Sequence, residues 1–180
     1  MIIDGKKEAQ LLRDKIKKEI DSIKLKFNKV PSLTVILIGD FAPSQIYVKN
    51  KEKNAKEVGI NSEVVRYPAE VSEQEVLKKI KELNDNDAVS GILVQLPLPP
   101  QINKEKIINA IKPFKDVDGF HPLNVGNLSS GYNATVPCTP LGCLLLIKKV
   151  EPNLSGKHAV IIGRSNLNGK PMAQLLLKEN

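Results

Sequence analysis

The 180-residue sequence has no tryptophan, four phenylalanines and three tyrosines. Base stacking therefore has little to work with, and a nucleic-acid interface would have to rest on charge alone. Cysteine is as scarce. Cys138 and Cys143 are five apart, a spacing of neither a zinc pair nor a redox pair, and His121 and His158 are distant from each other, so no metal site and no disulfide are expected. No apolar run approaches the roughly 20 residues of a membrane span. Met1-Ile2-Ile3-Asp4-Gly5 lacks the basic-then-apolar order of a secretory signal. The expectation is a cytoplasmic protein with no membrane partner.

What is present is an ordinary soluble composition, 41% hydrophobic and 26% charged, with a net charge of +7. That charge favours anionic partners: nucleic acid, phosphorylated cofactors or carboxylate substrates. Most lysines alternate with glutamates along helical segments and read as solvated faces.

The chain is organised around Gly91-Ile92-Leu93-Val94-Gln95-Leu96-Pro97-Leu98-Pro99-Pro100. An unalternating apolar run suits a strand covered on both faces, and prolines that cannot donate to a ladder stop it just beyond Gln95. In parallel sheets ligands bind at that carboxyl end. Gln95 as a mere polar terminus is the competing reading. Around this strand, Ala9, Leu12, Ile16, Ile20, Ile23 and Phe27 recur every three or four residues and predict a helix over 7–28. Leu33–Ile38 reads as a buried strand, Ala42-Pro43-Ser44 opens a helix that stops at Gly59, and a strand follows over 61–66. Ser72 and Glu75 have capping-box spacing for a helix over 73–84, and a short helix is expected over 103–111. Strands alternating with helices predict an α/β fold, an N-terminal parallel sheet with helices on both faces.

From Pro113 to Pro137 the pattern dissolves, which predicts a long functional loop. Thr139-Pro140 reads as an N-cap and first helical proline of a connector helix to Val150. His158–Ile162 then reads as a buried strand, with Gly163–Gly169 leading into a helix as a nucleotide-binding unit begins. The spacing Gly-x-Ser-x-x-x-Gly departs from the usual dinucleotide fingerprint. The expected organisation is a domain over 1–138 and the beginning of a Rossmann-like domain over 139–180. A lone strand and helix cannot bury their apolar faces, so a longer chain and weak NADP binding by this one are expected.

Taken together, Ser44-Gln45-Ile46-Tyr47-Val48 with Lys51, Gly91 to Pro99, Lys115-Asp116-Val117-Asp118-Gly119-Phe120-His121-Pro122, Pro137-Cys138-Thr139-Pro140, and Gly163-Arg164-Ser165-Asn166 through Gly169-Lys170-Pro171-Met172 resemble one family. It is the bifunctional methylene-tetrahydrofolate dehydrogenase and methenyl-tetrahydrofolate cyclohydrolase family. Ala42-Pro43-Ser44 and Asn168 depart from its common pattern, and family members run to nearly 300 residues. The resemblance implies NADP-dependent oxidation of methylene-tetrahydrofolate, hydrolysis of the product to formyl-tetrahydrofolate, NADP as cofactor and a homodimer with no nucleic-acid partner. It gives Lys51, Gln95 and Asp118 catalytic roles and puts Tyr47, Lys51, Val94, Gln95, Leu96 and Asp118 against the folate. Gly163, Arg164 and Ser165 would meet NADP.

Residue chemistry bears on these roles separately. Tyr47 and Lys51, four apart, share a helix face, but nothing local separates Lys51 from Lys49 or Lys53. A carboxylate can accept two bonds from an amino-pyrimidine edge, and Asp116 competes with Asp118 for that part. Capping loop backbone is the bland role for either. An inactive folate binder, or a basic module binding RNA or another anion, stays open at this stage.

Overall fold

Strand β1 (Ser32–Ile38) is buried on both faces from Thr34 onward, as its unalternating apolar run requires. Strands β2 (Asn61–Tyr67) and β3 (Gly91–Val94) flank it in parallel, giving the order β2-β1-β3. This computed structural model describes residues 2–179, and Ala9–Lys115 form one of its two compact units.

Helices cover both sides of the sheet. Helix α2 (Ala42–Val58) buries Ser44, Val48, Ala55 and Val58 and ends on Gly59, whose φ of 90° supplies the left-handed C-cap. On the opposite face Ile36, Ile38, Ile92 and Val94 join Val76, Ile80 and Leu83 of α3 (Glu73–Asp85) and Ile107 of α4 (Lys104–Ala110) in one core. Each such side chain contributes roughly 1.5–3 kcal/mol on full burial. The Ser72 hydroxyl accepts from Glu75 N–H, as the capping-box spacing predicts. The long helix α1 (Gly5–Phe27) forms as its periodicity predicts, yet it buries only Ile20 and leaves Leu12, Ile23 and Phe27 exposed.

The far end of α3 is closed by side chains. Asn84 donates to Ala110 O and accepts from Lys112 N–H. Lys115 is 5% exposed, and its ammonium donates to the carbonyls of Leu83, Asn84 and Asn86 at 2.8–2.9 Å. Its three protons are thereby used, at a helix C-terminus where a cation is favoured. At the start of α3, Glu73 accepts from Asn103 N–H at 2.7 Å and from Lys106 at 2.9 Å.

The remaining described residues form the second unit, and here three expectations are corrected. The stretch 113–137 is not all loop, for it contains α5 (Pro122–Ser129), whose first turn is closed by Leu123 N–H on His121 Nδ1. Residues 158–162 do not form a strand; Val160 and Ile162 are exposed, and among the described residues no ladder partner runs beside them. A strand exists only through bonds to another segment, which periodicity cannot report. Helix α6 (Cys138–Val150) begins after Pro137, so Thr139 lies inside the helix rather than at its cap. Helix α7 (Gly169–Leu177) starts where expected, and Leu128, Leu144 and Leu175 from α5, α6 and α7 make a small core.

Two outcomes follow for the first unit. Lys115→Met keeps the stem but strands three carbonyls, and should cost roughly 2–4 kcal/mol, read as a lower urea midpoint at unchanged slope. The second concerns Glu73, whose carboxyl is held below the usual glutamate range by Asn103 N–H first and the Lys106 side chain second. A depressed carboxylate contributes stability above its unfolded value, and that contribution is lost as pH falls through the folded one. Between about pH 6 and about pH 3.5 the urea midpoint of the wild type should fall further than that of Glu73→Gln.

Candidate functional site

At the carboxyl end of β3, Gln95 N–H still reaches Ile36 O at 2.9 Å. Pairing stops there, and a cis Leu96–Pro97 peptide begins the exit. The Gln95 side chain is fixed at both ends. Its Nε2 donates to Leu96 O at 2.8 Å, and its Oε1 accepts from Lys51 Nζ at 3.0 Å. Because the amide nitrogen is committed to a carbonyl, the oxygen must face the lysine. Ser44, buried on α2, also donates to Leu96 O, at 3.5 Å.

Lys51 is half-buried, whereas Lys49 and Lys53 are exposed. Their difference is one of helix face: Lys51 lies one turn beyond Tyr47, and α2 points that face toward the end of β3. Tyr47 is 60% exposed, its ring open to a stacking partner. Leu96 is half-buried beside the pair. Val94 is placed otherwise than expected: 6% exposed, its side chain belongs to the core, so only its backbone adjoins the strand end. Gln45 was not expected here; it donates to Gly39 O and accepts from Arg66 at 2.6 Å, tying α2 to the ends of β1 and β2. Its signal in the sequence is only its place in the Ser44–Val48 block.

In the second unit, the two aspartates divide. Asp116 is buried and its carboxylate accepts from the backbone N–H of Asp118, Gly119 and His121 and from Asn124 Nδ2. It is the loop-capping carboxylate. Asp118 is half-buried, two residues along the same turn. The turn packs closely on the segment before α6, since a Cβ on Gly119 would stand 2.5 Å from Thr135 O.

Gly163, Arg164 and Ser165 open the turn into α7, all three exposed. Ser165 Oγ accepts from Asn168 N–H at 3.1 Å and Ser165 O from Lys170 N–H at 3.1 Å. Asn168 is exposed and takes part through its backbone, so the departure at that position leaves the turn closed. Gly169 stands so close that an added Cβ would lie 2.3 Å from Gly163 O. A helix N-terminus, a guanidinium and a hydroxyl on a tight turn are the donor set a nucleotide phosphate needs. A cavity of about 220 Å³ adjoins this turn through Asn166 and Lys170 and is otherwise lined largely by α5 and α7. Among the described residues no group of His, Cys, Asp and Glu is arranged to hold a metal, and no helix is long and apolar enough to cross a membrane.

Comparison with known proteins identifies the family. The model of the tetrahydrofolate dehydrogenase/cyclohydrolase catalytic domain matches residues 3–118, and that of the corresponding NAD(P)-binding domain matches residues 137–180. The chain is 68% identical over 180 residues to the bifunctional protein FolD of Pelagibacter ubique, covering all of this chain and 64% of that protein. The bifunctional FolD methylenetetrahydrofolate dehydrogenase/cyclohydrolase of Campylobacter jejuni superposes with a TM-score of 0.96 at 46% identity, over 99% of this chain and 64% of that one. The Trypanosoma brucei enzyme, solved with NADP cofactor and inhibitor, gives a TM-score of 0.95 at 34% identity, over 100% and 62%. The chain thus spans just under two thirds of the length of these relatives.

The Gly163–Gly169 approach makes a test of the turn. Gly169→Ala must push Gly163 away, so amide exchange at Asn168 and Lys170, whose N–H groups close it, should quicken by at least about tenfold. Exchange mass spectrometry on peptides spanning 163–172 reads this, with β1 peptides as the unchanged control.

Proposed function

The chain belongs to the tetrahydrofolate dehydrogenase/cyclohydrolase family, and from that premise we propose that it acts on tetrahydrofolate one-carbon units. The two steps are NADP-dependent oxidation of methylene-tetrahydrofolate to the methenyl form and hydrolysis of that cation to formyl-tetrahydrofolate. The observation that carries the proposal is the Lys51–Gln95 contact at the carboxyl end of β3, with Tyr47 open on the same helix face.

Tyr47 is read as the stacking surface for the folate rings. Gln95, locked by Leu96 O, holds the lysine nitrogen in one place, with Leu96 and the Val94 backbone bordering it. NADP, when bound, accepts the hydride. The protein's part in that step is to orient the methylene bridge. Hydrolysis asks more: water adds to the one-carbon atom and gives up both its protons, one ending on the ring nitrogen whose bond to that carbon breaks and the other released to solvent. Lys51 is the group we assign to moving the proton that reaches the nitrogen. Asp118 is assigned to the amino-pyrimidine edge as a two-point acceptor, and Gly163, Arg164 and Ser165 to the phosphates of NADP. The division at residue 138, between a folate domain and a nucleotide domain, belongs to the same reading. Homodimeric association, a cytoplasmic location and the absence of a nucleic-acid partner rest on the family resemblance alone.

Methenyl-tetrahydrofolate supplied directly is hydrolysed without NADP, so the lysine can be tested apart from nucleotide binding. Lys51→Gln should suppress that hydrolysis by about 10²–10⁴-fold, the usual contribution of general acid–base catalysis. Methylene oxidation should fall much less, because glutamine, one bond shorter, still offers a hydrogen-bonding amide near the same place. Formation and decay of the methenyl species are followed separately. Equal losses would mean that Lys51 only positions substrate, and unchanged hydrolysis would remove it from the site.

A further inference from the structure

Asp116 and Asn124 are both buried polar residues, at 5% and 6% exposure, and neither has a part in the chemistry proposed above. Asp116 Oδ1 accepts from Asp118 N–H at 3.2 Å and Gly119 N–H at 3.0 Å. Its Oδ2 accepts from His121 N–H and from Asn124 Nδ2, each at 2.9 Å. Four donors on two oxygens take up the carboxylate's acceptor capacity, which is what permits a buried anion. Asn124, on α5, turns its other end to Thr135 N–H at 3.4 Å. Two of the three backbone N–H groups on Asp116 are those of Asp118 itself and of the residue after it, so the backbone that carries Asp118 is set by this carboxylate. Asn124 in turn fixes which way the carboxylate plane faces.

We propose that Asp116 and Asn124 are a positioning pair for Asp118, holding the turn in the one conformation from which Asp118 meets the pterin edge. The inference rests on the assignment of Asp118 made under the proposed function. It follows that Asp116 acts on ligand affinity without touching ligand, and that its partner is replaceable only by a group that keeps the donor–acceptor order. Asp116→Asn puts an NH₂ against the donors of His121 and Asn124. Exchanging the pair, Asp116→Asn with Asn124→Asp, restores donor to acceptor between the two side chains and leaves His121 N–H unmatched.

The test is calorimetric titration of the 180-residue protein with 5-formyl-tetrahydrofolate, alongside thermal unfolding of each variant. Asp118→Asn and Asp116→Asn should each weaken binding by about tenfold or more, and the exchanged pair should recover at least about threefold of the Asp116→Asn loss. A role in stability alone would lower the melting temperature of Asp116→Asn without that recovery of affinity. Wild-type binding by Asp116→Asn, beside a weakened Asp118→Asn, overturns the positioning pair and leaves the Asp118 assignment standing. Loss in Asp116→Asn with no recovery in the exchanged pair also overturns it. Wild-type binding by Asp118→Asn overturns the assignment and the inference with it. Should Asp116→Asn fail to fold, Asn124→Ala, which removes one bond of the four, carries the same test with an expected loss of about threefold, and wild-type affinity there overturns the pair.

Discussion

Strand β3 stops at Val94 because three of the next six residues are proline and so have no N–H to give. The last ladder bond, Gln95 N–H to Ile36 O, belongs to a residue whose side chain already lies beyond the core. Everything at Lys51 depends on this stop. A slip of β3 by one residue in register would turn Gln95 to the other face of the sheet, and α2 would present its lysine to nothing. The apolar residues before the stop anchor it, since Ile92 and Val94 are held against Ile36 and Ile38 with α3 and α4 beyond them.

Two pairs of like residues in the chain part company for the same reason. Lys115 and Lys51 are both drawn in from solvent, but Lys115 has its three protons on three carbonyls, and Lys51 meets an amide oxygen at the open end of a strand. Asp116 and Asp118 stand two residues apart, and Asp116 takes four N–H donors into the interior while Asp118 lies half-buried on the turn that those bonds create. A side chain whose hydrogen-bonding capacity is used up inside the fold stabilises structure. Lys51, held by an amide oxygen at the open end of a strand, is the group suited to proton chemistry under the proposed reading.

This explains how far the sequence could be read. Strands 33–38 and 91–94 and the helices packed on them were legible because apolar period and caps are local signals. Lys51 was not separable from Lys49 and Lys53 by any local feature, since its burial comes from β3, more than 40 residues away in the chain. Nor was α5, a Pro-Leu-Asn-Val-Gly-Asn-Leu-Ser stretch poor in helix formers, which is held by His121 at its first turn and by Asn124 on Asp116. The apolar run 158–162 misled in the opposite sense. Its residues favour a strand, but propensity supplies no partner, and Val160 and Ile162 stand exposed outside any strand.

The same geometry bears on how one site would serve two reactions under the proposed reading. Hydride departure asks for a fixed methylene bridge and tolerates any neighbour that keeps its place; hydrolysis asks for a nitrogen that exchanges a proton while staying in register with substrate. A lysine alone is mobile over four methylenes, and ordering it carries an entropic cost of about 1.5–2 kcal/mol. Gln95 meets that cost in advance, because its own amide is already oriented by Leu96 O and the lysine needs to find only one oxygen. An acidic residue at position 95 would hold the lysine more tightly, but it would favour the charged ammonium and oppose the proton's departure. A neutral amide orients the nitrogen without setting a full negative charge beside it, and that is the property a shared site requires.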